Sequence, residues 1–236
     1  MHSVLSPCAS VEMVPPLIIN EALKKGVNLL AVTDHNASAN IQAIQKAAQG
    51  TGITILPGME LQTKEDIHSI CLFDTLDQVN HLQSIVDKQL PNMQNNIDFF
   101  GEQFVVDETG DFIRREERLL ITSTNLSLNE TWQIVSDLQG ILIPAHVDRK
   151  AFGLLPVLGF VPKDIPLEAL EISHQITPEK AKMRYPELNN YPLIASGDAH
   201  QLESISGATY FKMQTPSIAE IKLAFKEIDK RSLRID

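Results

Sequence analysis

The sequence predicts an α/β fold built on a mostly parallel sheet or barrel. Short apolar runs of strand type alternate with helical stretches along the whole chain. Several of the helical stretches carry their own start and stop signals. No linker, internal repeat or break in composition interrupts the alternation, so one domain spanning 1–236 is expected.

Pro15-Pro16 opens a helix, and Gly26 stands where a helix-ending glycine belongs. Leu29–Thr33 is a short apolar strand. Ser38 is placed to cap a helix over 41–49, ending at Gly50. Ile53–Leu56 and Ile67–Phe73 are the next strands. Leu76, Val79, Leu82, Val86, Leu90, Met93 and Ile97 then recur at steps of three and four, which is helical spacing. Phe104–Ile113 reads as a hairpin or extended turn. Ser127-Leu128-Asn129-Glu130 is a capping box, and Gly140 closes the helix it opens. Strands follow at Ile141–Ala145, Ala169–Ile172, Pro192–Ser196 and Ala208–Phe211. Ser217-Ile218-Ala219-Glu220 is a second capping box for the last helix. The 74–140 segment is the largest excursion between strands. It is expected to be an inserted helix and hairpin that covers the mouth of the sheet and sets selectivity.

Twenty basic against thirty acidic residues give a formal charge of −10. Such a surface repels bulk nucleic acid and anionic membrane, so neither is expected as a partner. Two cysteines, Cys8 and Cys71, are too few for a disulfide framework. The N-terminus has no signal-peptide pattern, and runs such as Leu29-Leu30-Ala31-Val32 are too short to span a membrane. A reduced, cytoplasmic protein is expected.

Chemistry in α/β folds sits beyond the C-terminal ends of the strands. Asp34-His35 follows one predicted strand, Glu60 another, His146 a third, and Asp198 and His200 a fourth. His68 lies at the start of its strand, and His2 near the N-terminus. Imidazoles and carboxylates without clustered thiols suit Zn²⁺, Mn²⁺ or Fe²⁺. The ligands are too many for one tetrahedral ion, and a carboxylate can bridge, so two or three ions are implied. Such sites act on phosphate esters.

Thr33-Asp34-His35-Asn36, Gly58-Met59-Glu60, Ala145-His146 and Gly197-Asp198-Ala199-His200 resemble, in order and spacing, the motifs of the PHP superfamily (polymerase and histidinol phosphatase). Met1-His2-Ser3 resembles the end of that family's opening H-x-H-S motif. The resemblance implies a distorted (βα)7 TIM-like barrel with its metal cluster at the strand C-termini. It puts His2, Glu60 and Asp198 on one metal. Glu60 would bridge to a second, with His68 and His146, and His35 and His200 would hold a third. Cys8 or a water would complete the third, and Asp34 would orient ligands close to the chemistry. The first histidine of H-x-H is not in this sequence, which implies a shortened first strand. Either the start is truncated or the site works with one ligand fewer and holds its first metal weakly.

The expected activity is hydrolysis of a small phosphate monoester, a nucleotide or phosphorylated metabolite, by a metal-bridged hydroxide. Asp198, His200 and Asp34 are the expected catalytic groups. Arg149 and His174 are expected to meet the phosphate, with Lys150 and Arg184 as further cations. His81 reads as solvated. Two rival readings stand beside this one: a non-catalytic metal-binding PHP module, and a metal-dependent hydrolase of C–N or C–O bonds.

Overall fold

The computed structural model describes residues 1–235. In chain order the strands are β1 (Leu29–Val32), β2 (Thr54–Gln62), β3 (His68–Leu72), β4 (Phe104–Val106), β5 (Phe112–Arg115), β6 (Ile141–Pro144), β7 (Leu170–Ile172), β8 (Leu193–Ala195), β9 (Thr209–Lys212) and β10 (Ser232–Ile235). The helices are α1 (Pro15–Lys24), α2 (Ile41–Ala47), α3 (Leu76–Gln89), α4 (Ile97–Phe100), α5 (Leu128–Asp137), α6 (Leu154–Leu158), α7 (Pro178–Arg184) and α8 (Ile218–Phe225).

The fold is mixed α/β. Strands β1, β2, β3 and β6 form one sheet in that order, and β7 pairs with β8. β1–β2 and β7–β8 are parallel, but β3 is antiparallel to both β2 and β6. The link at 63–67 is too short for a crossover helix, so the chain must return as a hairpin. The expected strand–helix alternation therefore breaks there. Among the described residues the ladders do not close into a barrel. Single bonds lie across the gaps between sheets: Val147 N–H to the Glu171 carbonyl (2.8 Å) and His2 N–H to the Ala199 carbonyl (2.9 Å). Met1 forms no strand, yet its ammonium reaches the Ala31 carbonyl (3.1 Å) and its carbonyl accepts Thr33 N–H (2.9 Å).

Side-chain alternation splits the sheet into two faces. Val32, Met59, Leu61, Cys71, Leu142 and Ile172 pack outward in the main core. Leu56, Leu72, Ile141, Ile143 and Ala169 face inward onto α8 through Ile218, Ile221 and Phe225. The inward face thus has an apolar floor, and the strand ends above it carry the polar residues.

Local departures have local causes. The helix expected over 76–97 stops at Gln89, because Leu90 precedes Pro91 and is extended (ψ 130°). Ser38 does not cap α2; its N-cap is Asn40, without a side-chain cap bond. The Asn40 amide is committed instead to Ser3 Oγ, the Phe104 carbonyl and Val106 N–H. The Ser127–Glu130 capping box forms as expected. At α8 only half of the second box forms: Ser217 accepts from Glu220 N–H, while the Glu220 carboxylate pairs with Arg231.

Candidate metal centre

Gly58 shows how β2 admits the site. A Cβ there would lie 2.8 Å from Leu72 Cδ2 and 2.9 Å from the Cys71 carbonyl. Only glycine lets β3 approach this closely, and two residues on the strand presents Glu60 to the centre. Because β3 runs antiparallel, its start lies beside the end of β2, with Gln62 opposite His68. This is why a histidine at a strand start reaches the same end as a glutamate near a strand finish.

Glu60 is the hub, and it is buried. Its Oε2 lies 3.0 Å from His2 Nε2 and 3.5 Å from His35 Nδ1. Its Oε1 lies 3.1 Å from His68 Nδ1 and 3.3 Å from His146 Nε2. His2 Nε2 also lies 3.3 Å from Asp198 Oδ1. The His2 and His200 rings stack with centroids 4.1 Å apart. Three sets bring ligand atoms within 4.8 Å of one another: His2–Glu60–Asp198, His35–Glu60–His68 and His2–His35–His200. His146 joins through Glu60 rather than through one of these sets. Cys8 stands outside them and is exposed.

The charges are strongly coupled. Burial works against the Glu60 carboxylate, but the His68 charge and the imidazoles of His146, His2 and His68 beside it hold it well below the usual range. Burial would lower His2, yet its bonds to Asp198 and Glu60 win and raise it to about 9. His35 falls well below its ordinary value through burial and then the His2 charge, and His200 falls for the same two reasons.

Four buried ring nitrogens have no hydrogen-bond partner: His35 Nδ1, His68 Nε2 and both nitrogens of His146. Unpaired buried polar atoms are costly, so this donor set fits divalent ions that would take up those lone pairs.

The other expected residues are placed as follows. Both oxygens of Asp34 are engaged by Ser3 N–H (2.6 Å), Ser3 Oγ (2.7 Å) and Ser6 Oγ (2.8 Å). Arg149 Nη1 lies 2.7 Å from Asp198 Oδ2. His174, Lys150 and Arg184 are exposed, as is His81, whose Nδ1 donates to the Asp77 carbonyl. The sequence reading passed over Glu171. It is a buried acid in the apolar strand β7, and an acid in such a run was the available signal.

The PHP domain model matches residues 1–151. The chain belongs to the PHP domain family. No curated protein matches the sequence. Among solved structures, the lesion-specific endonuclease EndoQ from Pyrococcus furiosus matches with a TM-score of 0.76 at 21% identity, over 99% of this chain and 56% of that one. Endonuclease Q in complex with a 27-mer duplex bearing an abasic lesion at the active site matches with a TM-score of 0.70 at 20% identity, over 98% and 56%. A Bifidobacterium adolescentis protein assigned as a metal-dependent phosphoesterase matches with a TM-score of 0.56 at 15% identity, over 84% and 85%. This PHP chain therefore spans about half the length of the endonuclease chains it resembles.

The expectation of a small phosphorylated substrate and no nucleic acid is contradicted by these structures, one of which is endonuclease Q in complex with duplex DNA. Net charge sums over a whole surface, whereas binding at a phosphate backbone depends on charge at the mouth of the site. Bound cations are the largest charges in such a site and are absent from the sequence sum. No helix among the described residues is long and apolar enough to cross a membrane.

Proposed function

We propose that this PHP chain is a metal-dependent phosphodiesterase that cuts a nucleic-acid strand. The observation that carries the reading is the set of partnerless imidazole nitrogens around Glu60. The fold likeness to endonuclease Q supports the choice of a nucleic-acid diester over a monoester.

Two or three divalent ions, of Mn, Fe or Zn type, would be held by this donor set. His2, Glu60 and Asp198 would take one, and Glu60 with His35, His68 and His146 a second. His200, beside His2 and His35, would complete a third place. When bound, such ions draw charge from phosphoryl oxygens and lower the pKa of water toward neutrality. The chain's own residues prepare for this. Ser6 Oγ donates to Asp34, so it accepts His2 Nδ1–H and turns His2 Nε2 toward Glu60 and Asp198. Asp34 thus orients the 2–6 loop rather than touching substrate. His200 Nδ1 donates to the Asp198 carbonyl at 2.8 Å and leaves Nε2 as its basic nitrogen. Arg149, partly exposed at the edge of the cluster, is placed to share itself between Asp198 and a phosphate. The free thiols Cys8 and Cys71 support a reducing, cytoplasmic setting.

The test uses the full chain loaded with Mn²⁺. Its substrates are an end-labelled duplex with an abasic site, an undamaged duplex, a single strand and p-nitrophenyl phosphate. Metal-dependent strand cleavage, abolished by chelator, is expected. Release of phosphate from the monoester alone would overturn the reading. Metal uptake with no turnover would return the protein to a non-catalytic binding module.

A further inference from the structure

Two candidate ligands stand on strained backbone. His146 has φ 31° and Asp198 has φ 43°, both in the left-handed region and neither a glycine. Such residues cost on the order of 1–3 kcal/mol each and persist only where their surroundings over-determine them. The surroundings here converge on one buried side chain, Glu171 on β7. Its Oε2 accepts the backbone N–H of His146 at 3.0 Å. Its Oε1 accepts the hydroxyl of Ser196, whose Oγ in turn accepts Asp198 N–H at 3.4 Å. The Glu171 carbonyl takes Val147 N–H at 2.8 Å. One carboxylate thus ties the end of β6 to the end of β8, two strands that share no ladder. Asp148 fixes the same loop from the other side by accepting Ser173 N–H (2.7 Å) and Ser173 Oγ–H (2.6 Å).

We propose that Glu171 is a positioning residue that holds His146 and Asp198 where a divalent ion can use them. The inference rests on the metal-site reading above. Glu171 is not offered as a ligand, since both its oxygens already carry bonds whose loss would free the two strained turns.

The experiment is calorimetric titration of the full chain with Mn²⁺ alone, on protein first stripped with chelator and shown folded by near-ultraviolet circular dichroism. Groups that orient ligands typically contribute about 10–100-fold to metal affinity, and a loss of that size is expected for Glu171→Ala. Glu171→Gln should recover most of it. Its amide oxygen can accept His146 N–H while its NH₂ meets Ser196 Oγ. Ser196→Ala, which cuts one arm and spares the core, should weaken binding by less than Glu171→Ala, and it carries the test if Glu171→Ala does not fold.

A purely structural role would lower the unfolding temperature of the metal-free variants and leave the affinity of folded molecules unchanged. That result overturns the proposal, and so does Glu171→Gln binding no better than Glu171→Ala. If the unaltered chain takes up no Mn²⁺, the metal reading itself falls and the positioning role with it. If the unaltered chain binds and the variants bind equally well, the positioning role falls alone.

Discussion

Asp198 faces in two directions. One carboxylate oxygen lies by His2 and the other by Arg149. Burial works to protonate it, but the His2 hydrogen bond outweighs that and holds it below the ordinary range. It therefore enters the site as an anion. Asp198→Asn keeps the shape and removes the charge. Metal-dependent strand cleavage should fall by at least the roughly 100-fold upper range seen for ligand-orienting groups, since Asp198 is itself placed as a ligand. His146→Ala should do the same. Near-normal rates in both would sink the ligand assignment. Arg149→Met tests a different idea. Met keeps an apolar stem and loses the charge, so the KM for DNA should rise by about tenfold, the value of one charge-assisted hydrogen bond. Metal content, read by elemental analysis, should stay unchanged. A variant that loses metal instead would show Arg149 acting through Asp198.

The elements around the site are joined by buried amides as well as by the apolar cluster of Leu5, Ala37, Leu90, Val105 and Leu120. Asn36 donates to the carbonyls of Leu120 (2.8 Å) and Thr122 (2.8 Å) and accepts Gln62 N–H (3.0 Å). Asn40 links Ser3, Phe104 and Val106, and Gln103 donates to Glu116 and Arg118 while accepting Leu120 N–H. Residues 103–122 are thus pinned to the loop that carries Asp34 and His35. Asn36→Ala removes three hydrogen bonds, although the Leu120 carbonyl keeps Thr122 N–H at 3.0 Å. A loss of about 3 kcal/mol in urea unfolding follows if each unmade bond costs about 1 kcal/mol. A loss under a third of that would show that the loop relaxes freely. These bonds mark what could be read in advance. The Thr33–Asn36 and Gly58–Glu60 strings were legible because ligand chemistry restricts residue type. The role of Asn36 was not, because Leu120 and Thr122 lie far along the chain and a carbonyl acceptor leaves no trace in the sequence. The reversed β3 was hidden for a related reason. An apolar run such as Ile67–Phe73 reads the same in either direction, and only the short link at 63–67 distinguishes a hairpin from a crossover.

At the scale of the whole molecule, the metal-free protein is held partly by protons that metal ions would replace. His2 is raised from an ordinary 6.5 to about 9, because hydrogen bonds from its ring to Asp198 and Glu60 outweigh burial. A raised value means the folded state holds the proton more tightly. The stabilisation is therefore complete below pH 6.5 and is lost as the pH climbs through about 9. His146, also raised, acts in the same direction. His35 and His200 are depressed, so their contribution is already complete above 6.5 and adds nothing to the alkaline loss. Glu60 and Asp198 are depressed acids whose contribution disappears only in acid. In chelator, the unfolding temperature should therefore fall steadily between pH 6.5 and 9. Metal needs His2 deprotonated, so binding strengthens over the same interval. Excess Mn²⁺ should then cancel or reverse the fall, because a ligand bound only by the folded state stabilises it by mass action. Thermal scans at pH 6.5, 7.5 and 9, with chelator and with Mn²⁺, measure both slopes. Parallel slopes would mean that protons and metal do not compete at His2, and the donor set built around Glu60 would have to be redrawn without it.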